Sequence, residues 1–173
     1  QQNYKFVTDF EWYVSVLIDL TQTVGSKQGC LVRDQLLDVC VRVEVVRPFA
    51  VTQMIKVLRD TNLMSDSATE GGMCEVLTAA AWVVGEYSEP GGDHVDSLDA
   101  LLQPRVTTLP PNIQTVYIQN VLKVFVRIVD PKQREHALRF LEHALPPFVQ
   151  SPHLEVQERA CFVEALLNLY KSQ

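Results

Sequence analysis

The sequence predicts an all-α protein, an α-solenoid built of antiparallel helix hairpins with about eight helices. Three observations carry that prediction. Apolar residues recur at steps of three and four along nearly the whole chain, which lines one face of a helix. No stretch sustains the strict alternation that a half-buried strand needs. Proline and glycine fall at intervals that divide the pattern into helix-sized pieces with short connections, so that neighbouring helices pack antiparallel.

Each element has its own signals. Trp12, Val16 and Leu20 form the first row, opened by Thr8 and Glu11 at capping-box spacing. Gly25 and Gly29 bracket the break before a second helix, whose row is Val32, Leu36, Val39 and Val43. The β-branched run from Val41 to Val46 continues that row. Pro48 suits the first turn of a third helix, where its missing N–H has no partner to lose. Ser65 to Gly72 reads as a polar loop, and Cys74 to Tyr87 as the next helix, with Val76, Ala80, Val83 and Tyr87 on one face. Within it, Ala79-Ala80-Ala81 permits close helix approach and Trp82 fills the adjoining space. A second loop, Ser88 to Asp93, leads to a short helix reaching Leu102, with Asp93 as its cap. Pro104, Pro110 and Pro111 interrupt any helix there. The helix that follows carries two neighbouring rows: Tyr117, Val121, Val124 and Ile128, then Ile118, Leu122, Phe125 and Val129. Such a wide apolar arc is covered from more than one side, as an inner helix of a two-layer stack is. Asp130-Pro131 is an N-cap with a first-turn proline. Pro146-Pro147 ends that helix and Ser151-Pro152 opens the last, with Val156, Ala160, Val163, Leu167 and Tyr170 aligned. A hairpin spacing of roughly 40 residues matches HEAT or armadillo arrays. Self-similarity between repeats is weak, so a compact bundle is the alternative architecture.

Composition narrows the function classes. The chain has 173 residues, 47% hydrophobic and 21% charged, with 7 Gly and 9 Pro, which is globular rather than disordered usage. No apolar run approaches the roughly 18 residues a spanning helix requires. The net charge of −6 disfavours a general nucleic-acid binder. Gln1 in place of Met, no leader-like segment and a helical pattern running to Lys171-Ser172-Gln173 predict one solenoid segment, residues 1–173, of a longer chain. Cys30, Cys40, Cys74 and Cys161 form no C-x-x-C pair and lie in helical patterns, which predicts buried reduced thiols of an intracellular protein.

No catalytic constellation is present. The Gly-Gly pairs at 71–72 and 91–92 fit neither dinucleotide nor phosphate-loop spacing, and no nucleophile elbow occurs. His136, Arg139 and His143 share a helix face, but the spacing of the two histidines and the arginine between them suit a solvated surface rather than a metal. The expectation is no enzyme, no cofactor and no metal. Tyr4-Lys5-Phe6-Val7, Tyr13-Val14-Ser15-Val16 and Leu17-Ile18-Asp19-Leu20 approach peptide sorting signals, but the last two lie on an amphipathic helix and read as packing. Arg42, Arg47, Lys56 and Arg59 gather around the break at Pro48 and form the candidate partner interface, suited to an acidic protein or to lipid headgroups, with Glu44 and Asp60 diluting the charge.

Four runs taken together resemble a known family: Phe10 to Tyr13, Glu75 to Glu89, Leu102 to Pro110 and Leu154 to Ala160. In order and spacing they are similar to the large adaptin subunits of clathrin-type adaptor complexes, the delta-type adaptins of adaptor protein complex 3 in particular. The resemblance implies the later part of a helical-solenoid trunk. It also implies a scaffold role in vesicle coats that sort membrane cargo from endosomes or Golgi toward lysosomes and related organelles. The implied partners are a beta-type adaptin and the medium and small subunits, with no nucleic acid. The implied location is cytoplasmic, peripheral on Golgi or endosomal membranes. The solenoid surface leaves room for a further protein ligand. An unrelated HEAT-repeat binding module is the alternative. Both ends of such a segment are expected to expose apolar surface and to favour self-association.

Overall fold

The computed structural model describes residues 8–22, 27–65, 71–89, 92 and 94–172. The Tyr4 to Val7 motif, Gly25 and the Asp93 cap lie outside these residues. The described residues form ten helices and no strand: α1 (Phe10–Leu20), α2 (Gly29–Arg42), α3 (Arg47–Leu58), α4 (Thr61–Ser65), α5 (Val76–Tyr87), α6 (His94–Leu101), α7 (Pro111–Val126), α8 (Pro131–Ala144), α9 (Pro146–Val149) and α10 (Leu154–Lys171). Eight of the ten are eight residues or longer. None of the helices is long and apolar enough to cross a membrane.

The packing order settles solenoid against bundle. α2, α5, α7 and α10 pack side by side in that order and make one layer. α1, α3, α6 and α8 follow one another in a second layer. Across the layers α1 rests on α2, α3 on α5, and α6 on α7. This is a two-layer repeat stack, in which each unit buries its apolar face against its neighbours. α7 is an inner helix as its double row requires. Tyr117, Ile118, Val121 and Val124 are fully buried, and α7 meets α5, α6 and α10; Leu122 is half-buried, and the helix stops at Val126, before buried Ile128 and the 70% exposed Val129. In α5, Ala79, Ala80 and Ala81 are fully buried and let three helices, α2, α3 and α7, approach.

Several boundaries differ from expectation. The cap of α1 is Asp9, whose Oδ1 accepts from Trp12 N at 3.0 Å, not the Thr8–Glu11 box. The Trp12 row faces outward: Trp12 is 62% and Leu20 46% exposed, while Val14 and Leu17 are buried. Glu11, Ser15 and Asp19 form a polar stripe on α1, and the Trp12 row lies beside it rather than opposite it. The Val41–Val46 run breaks at Val43, which is extended (φ −115°, ψ 91°) ahead of a 3₁₀ turn at Glu44–Val46. The third helix stops at Leu58, and Asp60 Oδ1 accepts from Asn62 N at 2.8 Å to start the short α4. α5 begins at Val76, after a 3₁₀ turn over Met73–Glu75. Pro146 and Pro147 end α8 and also seed α9. Asp130 caps α8 as its spacing predicts, accepting from Gln133 N at 2.9 Å.

Trp82 is half-buried, packed edge-on against Tyr87 with ring centroids 5.6 Å apart. A fully buried tryptophan costs about 3–5 kcal/mol on truncation to alanine. Half-burial lowers the expectation for Trp82→Ala to about 1–2 kcal/mol, scaled by the smaller apolar area removed from water. Urea denaturation measures it, and a loss above about 4 kcal/mol would contradict the half-buried placement.

The cysteines divide. Cys40 and Cys74 are buried, Cys30 is intermediate and Cys161 is exposed. Desolvation pushes the Cys40 thiol up to about 11, opposed by the nearby Arg47. Cys161 lies on α10 outside the buried row, so the expectation of a buried thiol fails there.

Candidate interaction surface

Polar side chains lock the layers together and so define what remains for a partner. Each seam of the inner layer carries such a tie. Arg33 Nη1 meets Glu75 Oε2 at 2.8 Å between α2 and the turn leading into α5. Lys123 Nζ meets Glu86 Oε2 at 2.7 Å between α7 and α5. Arg159 Nη1 donates to Gln119 Oε1 at 3.0 Å between α10 and α7. The Lys123 ammonium, through its hydrogen bond, holds the Glu86 carboxyl below its ordinary range.

A second device satisfies helix carboxyl ends, whose last carbonyls have no partner within the helix. A side chain from a later element reaches back to them. Arg47 donates from Nε to Cys40 O at 3.0 Å and from Nη2 to Val41 O at 2.9 Å, closing α2. Gln103 Nε2 donates to Leu58 O at 3.2 Å, closing α3. Arg127 donates to Gly85 O and, at 2.8 Å, to Glu86 O, closing α5. Arg134 donates from Nε at 3.0 Å, and from Nη2, to Ile128 O just beyond α7. Gln157 Nε2 donates to Val149 O at 3.1 Å, closing α9. No periodicity argument reveals these roles, because each depends on a contact between elements.

The four basic residues of the candidate interface differ in what they are bonded to. Arg47 is spent on α2, on Glu44 and on the Tyr87 ring, whose centroid lies 4.4 Å from its guanidinium carbon. Arg59 joins α3 to α6 through Asp96 at 2.7 Å and Asp99 at 2.9 Å. Arg42 pairs with Asp38 at 2.6 Å, and Lys56 donates to Gln53 at 3.3 Å. Arg42, Lys56 and Arg59 are exposed and Arg47 is half-buried, but Arg59 is held by two carboxylates of α6. On α8, His136, Arg139 and His143 are exposed, Arg139 pairs with Glu135, and His143 Nδ1 lies 2.7 Å from Arg139 O. Among the described residues no cluster of His, Cys, Asp and Glu could hold a metal ion.

The exposed large apolar side chains are distributed unevenly. Trp12, Leu20, Leu31, Val41 and Val45 lie in the first layer units. Val126, Val129, Leu154, Phe162, Leu166, Leu169 and Tyr170 lie at the end of α7 and on α10. Among the described residues, none falls between 46 and 125. Apolar surface at both ends of the stack with a covered middle is what the sequence predicts, and such patches mark sites of association. The signal missing from the sequence was which row of each helix would face out.

A two-layer helical stack, tied seam by seam and carrying its apolar surface at its two ends, defines a helical-repeat scaffold. The family model described as Adaptin N terminal region matches residues 3–171, and the chain belongs to that family. It is 44% identical to AP-3 complex subunit delta-1 of Bos taurus, with 100% of this chain and 15% of that protein covered. It is 42% identical to AP-3 complex subunit delta of Dictyostelium discoideum, covering 96% of this chain and 17% of the relative. It is 24% identical to AP-2 complex subunit alpha of Schizosaccharomyces pombe, covering 95% and 17%. The chain thus spans about one-sixth of the length of these relatives.

Proposed function

We propose that this chain is a non-catalytic scaffold segment within the trunk of a large adaptor-complex subunit, acting in vesicle-coat assembly and membrane cargo sorting. The observation that carries the reading is the family match over residues 3–171, together with 44% and 42% identity to delta subunits of AP-3 complexes. The two-layer stack supports it, because a solenoid presents extended surface without needing a catalytic pocket. On this reading the partners are a beta-type adaptin and the medium and small subunits. The complex sits peripherally on Golgi or endosomal membranes at the cytoplasmic side, and its cargo goes toward lysosomes and related organelles. Whereas Arg47 and Arg59 tie helices together, Arg42 and Lys56, both exposed, are the part of Arg42, Arg47, Lys56 and Arg59 that reaches an acidic partner surface.

Affinity capture with the full-length protein that carries this segment tests the proposal. Recovery of a beta-type adaptin with medium and small subunits is the expected result. Failure of a folded full-length protein to recover any of them sinks it. Arg42→Glu with Lys56→Glu is expected to weaken the recovery of one subunit. Unchanged recovery of all of them would remove the two residues from the interface.

A further inference from the structure

Outer helix α8 is lightly held. It packs on α6 and α9, only Ala137 and Leu141 of its 14 residues are buried, and Leu138, Phe140 and Ala144 lean half-buried on the core. Between α8 and α10 runs a trough lined by Leu141, Glu142, Leu145, Glu164, Leu167 and Lys171. Two side chains of α10 bridge it, and they are adjacent in its last turn. Tyr170 receives a hydrogen bond on its hydroxyl from Arg134 Nη1 at 3.1 Å. Lys171 donates to the Glu142 carboxylate, which this bond holds below its ordinary range. Arg134 and Glu142 are eight residues apart, roughly 12 Å along the axis of α8. One turn of α10 therefore grips both halves of α8.

Tyr170 is also the joint between layers. Its ring meets Phe125 edge-on at 5.8 Å, and the Arg134 guanidinium lies 5.8 Å from its centroid. Arg134 in turn closes the end of α7 at Ile128. The grip is thus made of one aromatic contact and exposed polar bonds rather than of buried apolar area. Elements with few buried contacts open at lower free energy than the core. Exposed ion pairs add little to that and are screened by salt.

We propose that the last turn of α10 is a clasp for α8. The clasp and α8 open together as one unit, uncovering the Leu141–Leu145–Leu167 trough, while α5 and α7 stay closed. The device is a strap built into the outer layer. Its position depends on Tyr170 for most of its strength and on Lys171 for its salt sensitivity.

Hydrogen exchange with mass spectrometry on the intact protein reads this directly. Amides of α8 are expected to exchange about tenfold or more faster than those of α5 and α7, as a sub-global opening requires. Tyr170→Ala is expected to speed α8 exchange by a further tenfold or so with α5 and α7 unchanged, while Tyr170→Phe, which keeps the ring, gives about threefold or less. Raising salt speeds α8 in the wild type and has no such effect in Lys171→Met. Protection of α8 equal to that of α5 would overturn the proposal. So would a Tyr170→Ala protein in which all helices accelerate together, or in which α8 does not respond.

Discussion

Gly85→Ala is expected to lower the melting temperature by about 6–12 °C, the equivalent of about 3 kcal/mol in a chain of this size. Two effects compete. Alanine is the better helix former by about 1 kcal/mol, so propensity alone would make the change stabilising. The site decides otherwise. A Cβ at Gly85 would stand 2.1 Å from Asn120 Oδ1 and 2.4 Å from both Asn120 Cβ and Cγ. A rotamer change moves the amide, but Cβ is fixed to the backbone of α7. The two helices must therefore separate at their closest approach. That shift also strains the Arg127 bonds to Gly85 O and Glu86 O and the Lys123–Glu86 pair. Thermal unfolding followed by circular dichroism measures the loss. Asn120→Gly in the same chain should restore part of it by removing the opposing Cβ, less about 1 kcal/mol for glycine within a helix. A single Gly85→Ala protein melting within about 1 °C of the wild type would show that α5 and α7 do not cross where described.

Tyr117 offers a pair of substitutions with opposite signs. The residue is fully buried, and its hydroxyl has no hydrogen-bond partner. Tyr117→Ala should cost about 3–5 kcal/mol through the cavity it leaves in α7. Tyr117→Phe should raise stability by about 1 kcal/mol, because it removes a desolvated hydroxyl and keeps the ring. Alkaline pH adds a second reading. Burial drives the phenol far above its ordinary value, so the native state keeps the proton that the unfolded chain releases near pH 10. Stability carried by this group is fully present below that pH and falls as pH rises beyond it. The phenylalanine variant should lose this share of the alkaline decline while other groups titrate as before. Equal alkaline slopes in the two proteins, or a Tyr117→Phe protein less stable than wild type, would mean the hydroxyl is bonded or solvated.

The legibility of the fold follows the strength of each local rule. Asp130-Pro131 was readable because a capping side chain and a first-turn proline act within four residues. The double row of α7 was readable because its apolar residues span an arc wide enough to require cover on two sides. In α1 the Trp12 row is apolar but borders the Glu11, Ser15 and Asp19 stripe, and the face that packs is that of Val14 and Leu17. The break at Val43 was hidden because a β-branched residue fits either the row or an extended link. Arg47 decided it by taking the Cys40 and Val41 carbonyls. For the basic cluster, sequence shows the charges at 42, 47, 56 and 59 but neither the Cys40 and Val41 carbonyls that Arg47 takes nor the Asp96 and Asp99 carboxylates that Arg59 meets.

The all-helical class, the number of long helices and the family are legible in the chain alone, because they rest on local periodicity, on punctuation and on the order of whole runs. Which face of each helix is inside, which arginines are spent as staples and which apolar side chains remain outside are set by packing between helices. These depend on helices distant in the chain meeting at particular residues, such as Gly85 against Asn120 and Tyr170 against Arg134. Contacts of that kind arise from how the layers stack, and a helical period does not encode them.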